Sequence, residues 1–252
     1  MKPSYKPILA TFERLADSYG FRQGMEEVNR CLLAPLVSEW EGRILDVGAG
    51  TGTLIGKYLN PGKNEVYTVD FSWNMLKELE KNLGHEFGRS LFPVRSIAQS
   101  LPFARDSFDA ALSVNTLHNM PSWKDICESM YEMARVLRPR GTLLLEFRNW
   151  DNPHRRRICE MYDLEDLPQK AFTIERVENQ LRSMGFDVLK VMPLWGEYVP
   201  SNSFNNLLER MSRSMKRMPK NRAPRFAVLA EKGPAFKTLL RDAMGHPVFE
   251  QG

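Results

Sequence analysis

Two stretches of this chain, SFDAALSVNTL from Ser107 and GTLLLEF from Gly141, run nearly continuously apolar through their middles. A strand that is apolar on both faces must be covered on both faces. That calls for a parallel sheet layered between helices. Further strands are read at about 43 to 47, in NEVYTVD, LFPVRSIA, FDVLKVMPL and RFAVLAEK. Between them, FSWNMLKELEKNL, SWKDICESMYEMARVL and TIERVENQLRSMGF have helical spacing. Strands alternating with helices predict an α/β, doubly wound sheet. Apolar spacing predicts two more helices near the start, over 6–18 and 24–38. Ser122, with Asp125 three residues on, reads as a helix N-cap. RPRG is expected to break that helix before the fifth strand, and a helix is expected to run from the glycine turn to about residue 59. At 252 residues the chain is read as one domain. Residues 1–40 form a helical cap, 41–195 a core, 196–223 an insertion on the substrate side and 224–252 the last strand and tail.

In open sheets of this class, ligands sit beyond the carboxyl ends of the strands where the strand order reverses. Here those ends follow Val47, Val69, Ile97, Val114 and Phe147. The first carries the most information: GRILDVGAGTGTLIGKYL, Gly42 to Leu59. A dinucleotide fingerprint needs G-x-G-x-x-G. Gly48 and Gly50 fit its first two positions, but the third is Thr53, with the glycine at 52. Asp46 precedes the turn and would repel a pyrophosphate with little solvent to screen it. The same carboxylate suits an ammonium group. If the glycines formed only a tight turn, a buried Asp46 would lack a partner, at a cost of several kcal/mol. A second acid, Asp70, ends the second strand, where it can accept hydrogen bonds from both hydroxyls of a ribose. It can also cap the helix starting at Ser72. An acid for an amine, glycines for close backbone approach and an acid for a ribose together fit S-adenosylmethionine.

Four ordered motifs resemble the class I S-adenosylmethionine-dependent methyltransferases of the broad small-molecule type. They are LDVGAGTG, VDFSWNML, AQSLPFARDSFDAALSVNTLHNM and ARVLRPRGTLLL. With FERLADSYG, which holds Tyr19, and the segment from YVPSNSF to RFAVLAEK, they run from residue 12 to 232. The resemblance implies a Rossmann-like, seven-stranded sheet, mostly parallel with an antiparallel last strand. It implies S-adenosylmethionine as cofactor and S-adenosylhomocysteine as product. Asp46, Gly48, Ala49 and Gly50 would hold the methionine part and Asp70 the ribose. Phe71 and Met75 would pack on the adenine, with Ile97 and Ala98 at its edge. Asn115 would line the sulfonium region, and Tyr19 would close over the cofactor. Two positions depart from the family pattern. Ile97 stands where an acid often meets the adenine amino group, and Arg140 replaces the first glycine of a P-G-G turn, a change expected at a surface turn.

Methyl transfer needs alignment and desolvation more than acid–base help, because the sulfonium is already activated. His118, in NTLHNM, is the candidate base if the acceptor must lose a proton. Alternatively, it only shapes the loop. Arg148 and Asn149 after the fifth strand are candidates for binding an acidic or polar acceptor, and Glu146 shares a strand face with Arg148. The motif of DNA amino-methylating enzymes is absent after the fourth strand. A paired catalytic cysteine is also absent. A small-molecule acceptor is therefore expected, and no DNA.

The net charge of +4 is mild, but HRRR (154–157) and the segment 210–225 concentrate basic residues. Phe204, Leu207, Met211, Met215 and Met218 fall at roughly helical spacing among those charges, which reads as a basic amphipathic helix. It is read as a lid over an apolar acceptor, with contact to an anionic membrane surface or to RNA as the alternatives. The competing functions are an RNA or protein methyltransferase and a cofactor-binding protein without transferase activity. Three cysteines and four histidines are scattered without metal-ligand spacing. We therefore expect no metal and reduced thiols in the cytoplasm. The N-terminus shows no apolar run of a signal peptide, and no window approaches a membrane span.

Overall fold

The computed structural model describes residues 3–19, 32–60, 62–161, 170–194, 222–234, 236, 239–241 and 247–249. Seven strands form one sheet: β1 (Gly42–Val47), β2 (Asn64–Asp70), β3 (Leu91–Arg95), β4 (Phe108–Ser113), β5 (Leu137–Arg148), β6 (Phe186–Leu194) and β7 (Arg225–Lys232). Their order is β3-β2-β1-β4-β5-β7-β6. The first five run parallel, and β7 lies antiparallel between β5 and β6. The chain therefore leaves β1 in one direction toward β2 and β3, then returns to lay β4 on its other side. The reversal in strand order falls between β1 and β4, and so fixes where a ligand crevice opens. The parallel part is the sheet expected from the strand–helix alternation, and the antiparallel β7 is what the resemblance implied. A small antiparallel pair, β8 (Leu239–Arg241) with β9 (Pro247–Phe249), was not expected.

Helices α1 (Lys6–Tyr19), α2 (Trp73–Leu83), α3 (Trp123–Val136), α4 (Pro153–Met161) and α5 (Ile174–Ser183) surround the sheet, and residues 32–37 are also helical. Residues 24–31 of the second expected N-terminal helix lie outside the described residues. So do Cys31, His246 and 196–221 of the basic insertion. Two apolar clusters cover the two faces. One packs Leu45, Leu143, Leu145 and Phe147 against Ile126, Met130 and Met133 of α3. The other packs Ile44, Val66, Leu112 and Leu144 against Leu76 and Leu79 of α2. Alternate residues of one strand thus enter opposite cores, as doubly apolar strands require.

The helix starts follow their local chemistry. Ser122 Oγ accepts from Asp125 N at 3.2 Å, and Thr173 caps α5 in the same way. The helix expected up to residue 59 is not formed. The turn yields only a 3₁₀ turn at Ile55–Lys57, because Gly52 takes a left-handed conformation and Tyr58 is drawn inward. α4, which carries HRRR, was not anticipated. It turns Arg155 into the interior while His154, Arg156 and Arg157 stay exposed.

α3 ends at Val136, and RPRG bulges out of the β4–β5 ladder, which steps from Phe108↔Leu137 to Ala110↔Thr142. Within that bulge Arg140 has φ +63°. This is the position where the family pattern has glycine, and a left-handed arginine costs about 1–2 kcal/mol. Arg140 is exposed, and its ion pair with Glu231 is long at 3.6 Å. Arg140→Gly is expected to raise stability by up to about 1 kcal/mol, net of the entropy glycine adds to the unfolded chain, as read by chemical denaturation.

Candidate active site

β1 and β2 deliver their carboxylates side by side. Asp46 is the penultimate residue of β1 and Asp70 the last of β2, and both are buried. Between them passes the glycine turn. Gly48 has φ +79°, and a Cβ there would sit 2.3 Å from the Thr116 side chain. Thr116 in turn donates to Gly48 O at 3.1 Å. The turn after β1 and the loop after β4 therefore meet at a contact that excludes any side chain. Gly50 has φ +56°, and its missing Cβ would meet nothing nearer than Tyr19 and Met75 at 3.9 and 4.0 Å. That space is open to a ligand.

Asp70 does not itself cap α2. Ser72 does, accepting from Met75 N at 3.2 Å. The Asp70 carboxylate accepts from Gly50 N and Ser72 N, each at 2.9 Å, so it ties the glycine turn to the start of α2. Asp46 also has a partner: Tyr58 Oη donates to it at 2.7 Å within the protein interior. A solitary tight turn is therefore not ruled out by a missing partner for Asp46, as the sequence had suggested. Burial pushes the Asp46 carboxyl up to about 7, against the opposing Tyr58 bond and with help from nearby Asp70. Burial pushes Asp70 up to about 6, with its backbone donors opposing.

The cavity here encloses, with its mouth, about 980 Å³. It is lined by every residue that the resemblance implied for the cofactor: Tyr19, Asp46, Gly48, Ala49, Gly50, Asp70, Phe71, Met75, Ile97, Ala98 and Asn115. Helix α1 forms one wall with Tyr5, Ile8, Phe12 and Tyr19. It is fastened by its Glu13 carboxylate, which accepts from Trp73 N at 2.7 Å and Asn74 N at 3.0 Å at the start of α2. Phe12 meets Phe71 edge-on, with ring centroids 5.9 Å apart. Gln99, Asn119 and Met120 line the wall, as does Tyr5, which Gln99 contacts through its side-chain amide. Sequence reasoning missed these four, although Asn119 and Met120 stand next to the residue it chose.

That residue, His118, is fully buried and does not line the cavity. Burial first, then Arg148, Arg225 and Arg155, hold its pKa well below the ordinary histidine range. The imidazole is thus a neutral interior group. Arg148 and Asn149 also lie off the cavity wall. Asn149 is buried and donates to Ala223 O at 2.8 Å, while burial and neighbouring Arg225 lower Arg148 to about 9. Glu146 pairs with Arg225 at 2.9 Å, a partner not foreseen from the sequence. Among the described residues no group of three or more His, Cys, Asp or Glu side chains could hold a metal, and no helix is long and apolar enough to cross a membrane.

Residues 45–145, spanning both carboxylates and the β4 loop, match the family model described as a methyltransferase domain. Over those residues the chain is similar to methyltransferase domains. Over 130 residues the domain is 35% identical to the ubiquinone/menaquinone biosynthesis C-methyltransferase UbiE of Hahella chejuensis, covering 50% of this chain and 51% of that one. It is 37% identical over 144 residues to the demethylmenaquinone methyltransferase of Renibacterium salmoninarum, covering 55% and 57%. The chain thus spans about half the length of the curated relatives it matches. Among solved structures, it is similar to the methyltransferase complexed with the Haloferax volcanii Trm112 activator. The TM-score is 0.65 at 16% identity, covering 88% of this chain and 97% of that one. It is also similar to the Burkholderia thailandensis 1,6-didemethyltoxoflavin-N1-methyltransferase, solved with S-adenosylhomocysteine. There the TM-score is 0.60 at 18% identity, covering 90% and 88%. At such identities the likeness concerns the fold of the methyltransferase domain.

The two acids make the domain sensitive to pH. The Asp46 pKa is raised on folding, so between pH ~4 and about 7 the folded protein keeps a proton that the unfolded chain has lost. Stability therefore falls as pH rises through that window. Asp46→Asn keeps an acceptor for Tyr58 without the charge. At pH 8, without ligand, it is expected to be more stable than the parent by about 1 kcal/mol or more, with a flatter dependence of Tm on pH.

Proposed function

We propose that this protein is an S-adenosylmethionine-dependent methyltransferase acting on a small, largely apolar acceptor. The observation that carries this is the pair of buried carboxylates, Asp46 and Asp70, facing one cavity across an open glycine backbone. Asp46 suits the ammonium of the methionine part. Asp70 suits the ribose hydroxyls, which would draw on the carboxylate that now holds Gly50 N and Ser72 N. Phe71, Met75, Ile97 and Ala98 offer an apolar slot for a purine. The residues present therefore fit the cofactor, which when bound supplies an electrophilic methyl group.

The remainder of the cavity suits the acceptor. The cavity wall extends beyond the residues assigned to the nucleoside. The wall there is Tyr5, Ile8, Phe12 and Met120, with the polar ends of Gln99 and Asn119. This chain's own contribution is to exclude water with α1 and to orient two reactants in line. A small acceptor also agrees with the relatives, a ubiquinone/menaquinone biosynthesis C-methyltransferase and a demethylmenaquinone methyltransferase. His118 is not given the role of base, since its imidazole does not reach the cavity.

Calorimetric titration with S-adenosylmethionine, S-adenosylhomocysteine and NADH tests this reading. Both sulfur nucleosides are expected to bind and NADH not. Asp70→Ala should weaken the nucleosides at least about tenfold, since a hydrogen bond to a charged group is worth ~1.5–3 kcal/mol. Ionised carboxylates favour the cationic cofactor, so its affinity should climb as pH rises through about 6 and 7 and level off above. Binding of NADH in place of the nucleosides overturns the reading.

A further inference from the structure

Asn115, just beyond β4, has φ +57° and is held at three atoms. Its backbone N donates to Glu146 Oε2 at 2.5 Å, and its Oδ1 accepts from Arg225 Nη1 at 3.0 Å. Its Nδ2 donates to Tyr19 Oη at 3.0 Å. Arg225 Nη1 also donates to Glu146 Oε1 at 2.9 Å. The carboxylate of Glu146 is thus shared between the backbone and, through Arg225, the side chain of one residue. Glu146 is 1% exposed. Burying a carboxylate and a guanidinium is costly, and apolar residues often serve stability as well, so such a pair is better suited to fixing one geometry. Here the fixed geometry is the amide of Asn115, which lines the cavity together with its acceptor Tyr19.

We propose that Glu146 and Arg225 are positioning residues. The pair clamps Asn115 in its left-handed conformation, and the Asn115 amide in turn docks the end of α1 over the cavity through Tyr19. The clamp joins β4, β5 and β7 to the N-terminal helix, and it acts on the cofactor only through Asn115 and Tyr19. Its effect on cofactor affinity rests on the function proposed above, whereas its effect on α1 does not.

The experiment is a double-mutant cycle on the full chain, with amide hydrogen exchange of residues 15–19 measured without ligand and S-adenosylhomocysteine affinity measured by calorimetry. Glu146→Gln leaves one acceptor where two donors converge. It is expected to speed exchange at the end of α1 about fivefold or more and to weaken the nucleoside about tenfold. Tyr19→Phe should do the same to α1, and the double variant should be no worse than the more affected single variant, because both cut one chain of contacts. Thr173→Ala, which weakens the cap of α5, a helix with no residue on the cavity wall, should leave α1 exchange unchanged. If Glu146→Gln does not fold, Arg225→Lys takes its place, keeping the charge and losing the fork. Additive effects, or α1 exchange that follows Thr173→Ala equally, overturn the proposal. A parent protein that does not bind the nucleoside overturns the proposed function, and the exchange cycle still decides the clamp.

Discussion

The Asp70 carboxylate holds two backbone segments at once. With Gly50 N on one oxygen and Ser72 N on the other, it joins the turn after β1 to the start of α2. Neither segment has regular structure of its own at that point, and both line the cavity. The bond geometry needs β1 and β2 in register, and their ladder supplies that from Gly42↔Asn64 to Val47↔Val69. The site is thus an outcome of strand pairing completed by one buried acid. The burial that places the acid also makes it expensive to ionise, a cost that a cation beside it would offset.

A second fastening closes the pocket from the other side. Thr116 folds the loop after β4 onto Gly48, while Glu13 pins α1 to the N-terminus of α2, where a carboxylate also meets the positive end of the helix dipole. The cavity walls therefore come from segments far apart in sequence, and each is anchored by a polar contact at its rim and apolar packing behind it.

What was legible in the sequence follows from what is local. The strands, the left-handed glycines and the acids that end β1 and β2 are encoded by short spacings, and all eleven residues read as cofactor-facing line the cavity. Contacts made across the fold were not legible. Nothing in the spacing of Glu146 and Arg225 announces their pairing, because it depends on β7 inserting antiparallel beside β5. Tyr58 was invisible as the partner of Asp46 while a regular helix was expected there. His118 shows a different limit. In the 3₁₀ turn Leu117–Asn119, successive side chains point about a third of a turn apart. The loop reaches the cavity, but through the next residue along, Asn119.

The antiparallel placement of β7 has a consequence for how such a chain can vary. Leu194, the last residue of β6, is the register partner of Arg225, the first of β7, and Arg225 also faces Arg148 at the end of β5. Everything between 194 and 225 therefore departs from and returns to one point on the rim beside Asn115. Residues can be added or removed there without changing the order of a single strand. The sheet behaves as a fixed socket: the ladder of β6 and β7 holds their ends together whatever length of chain joins them.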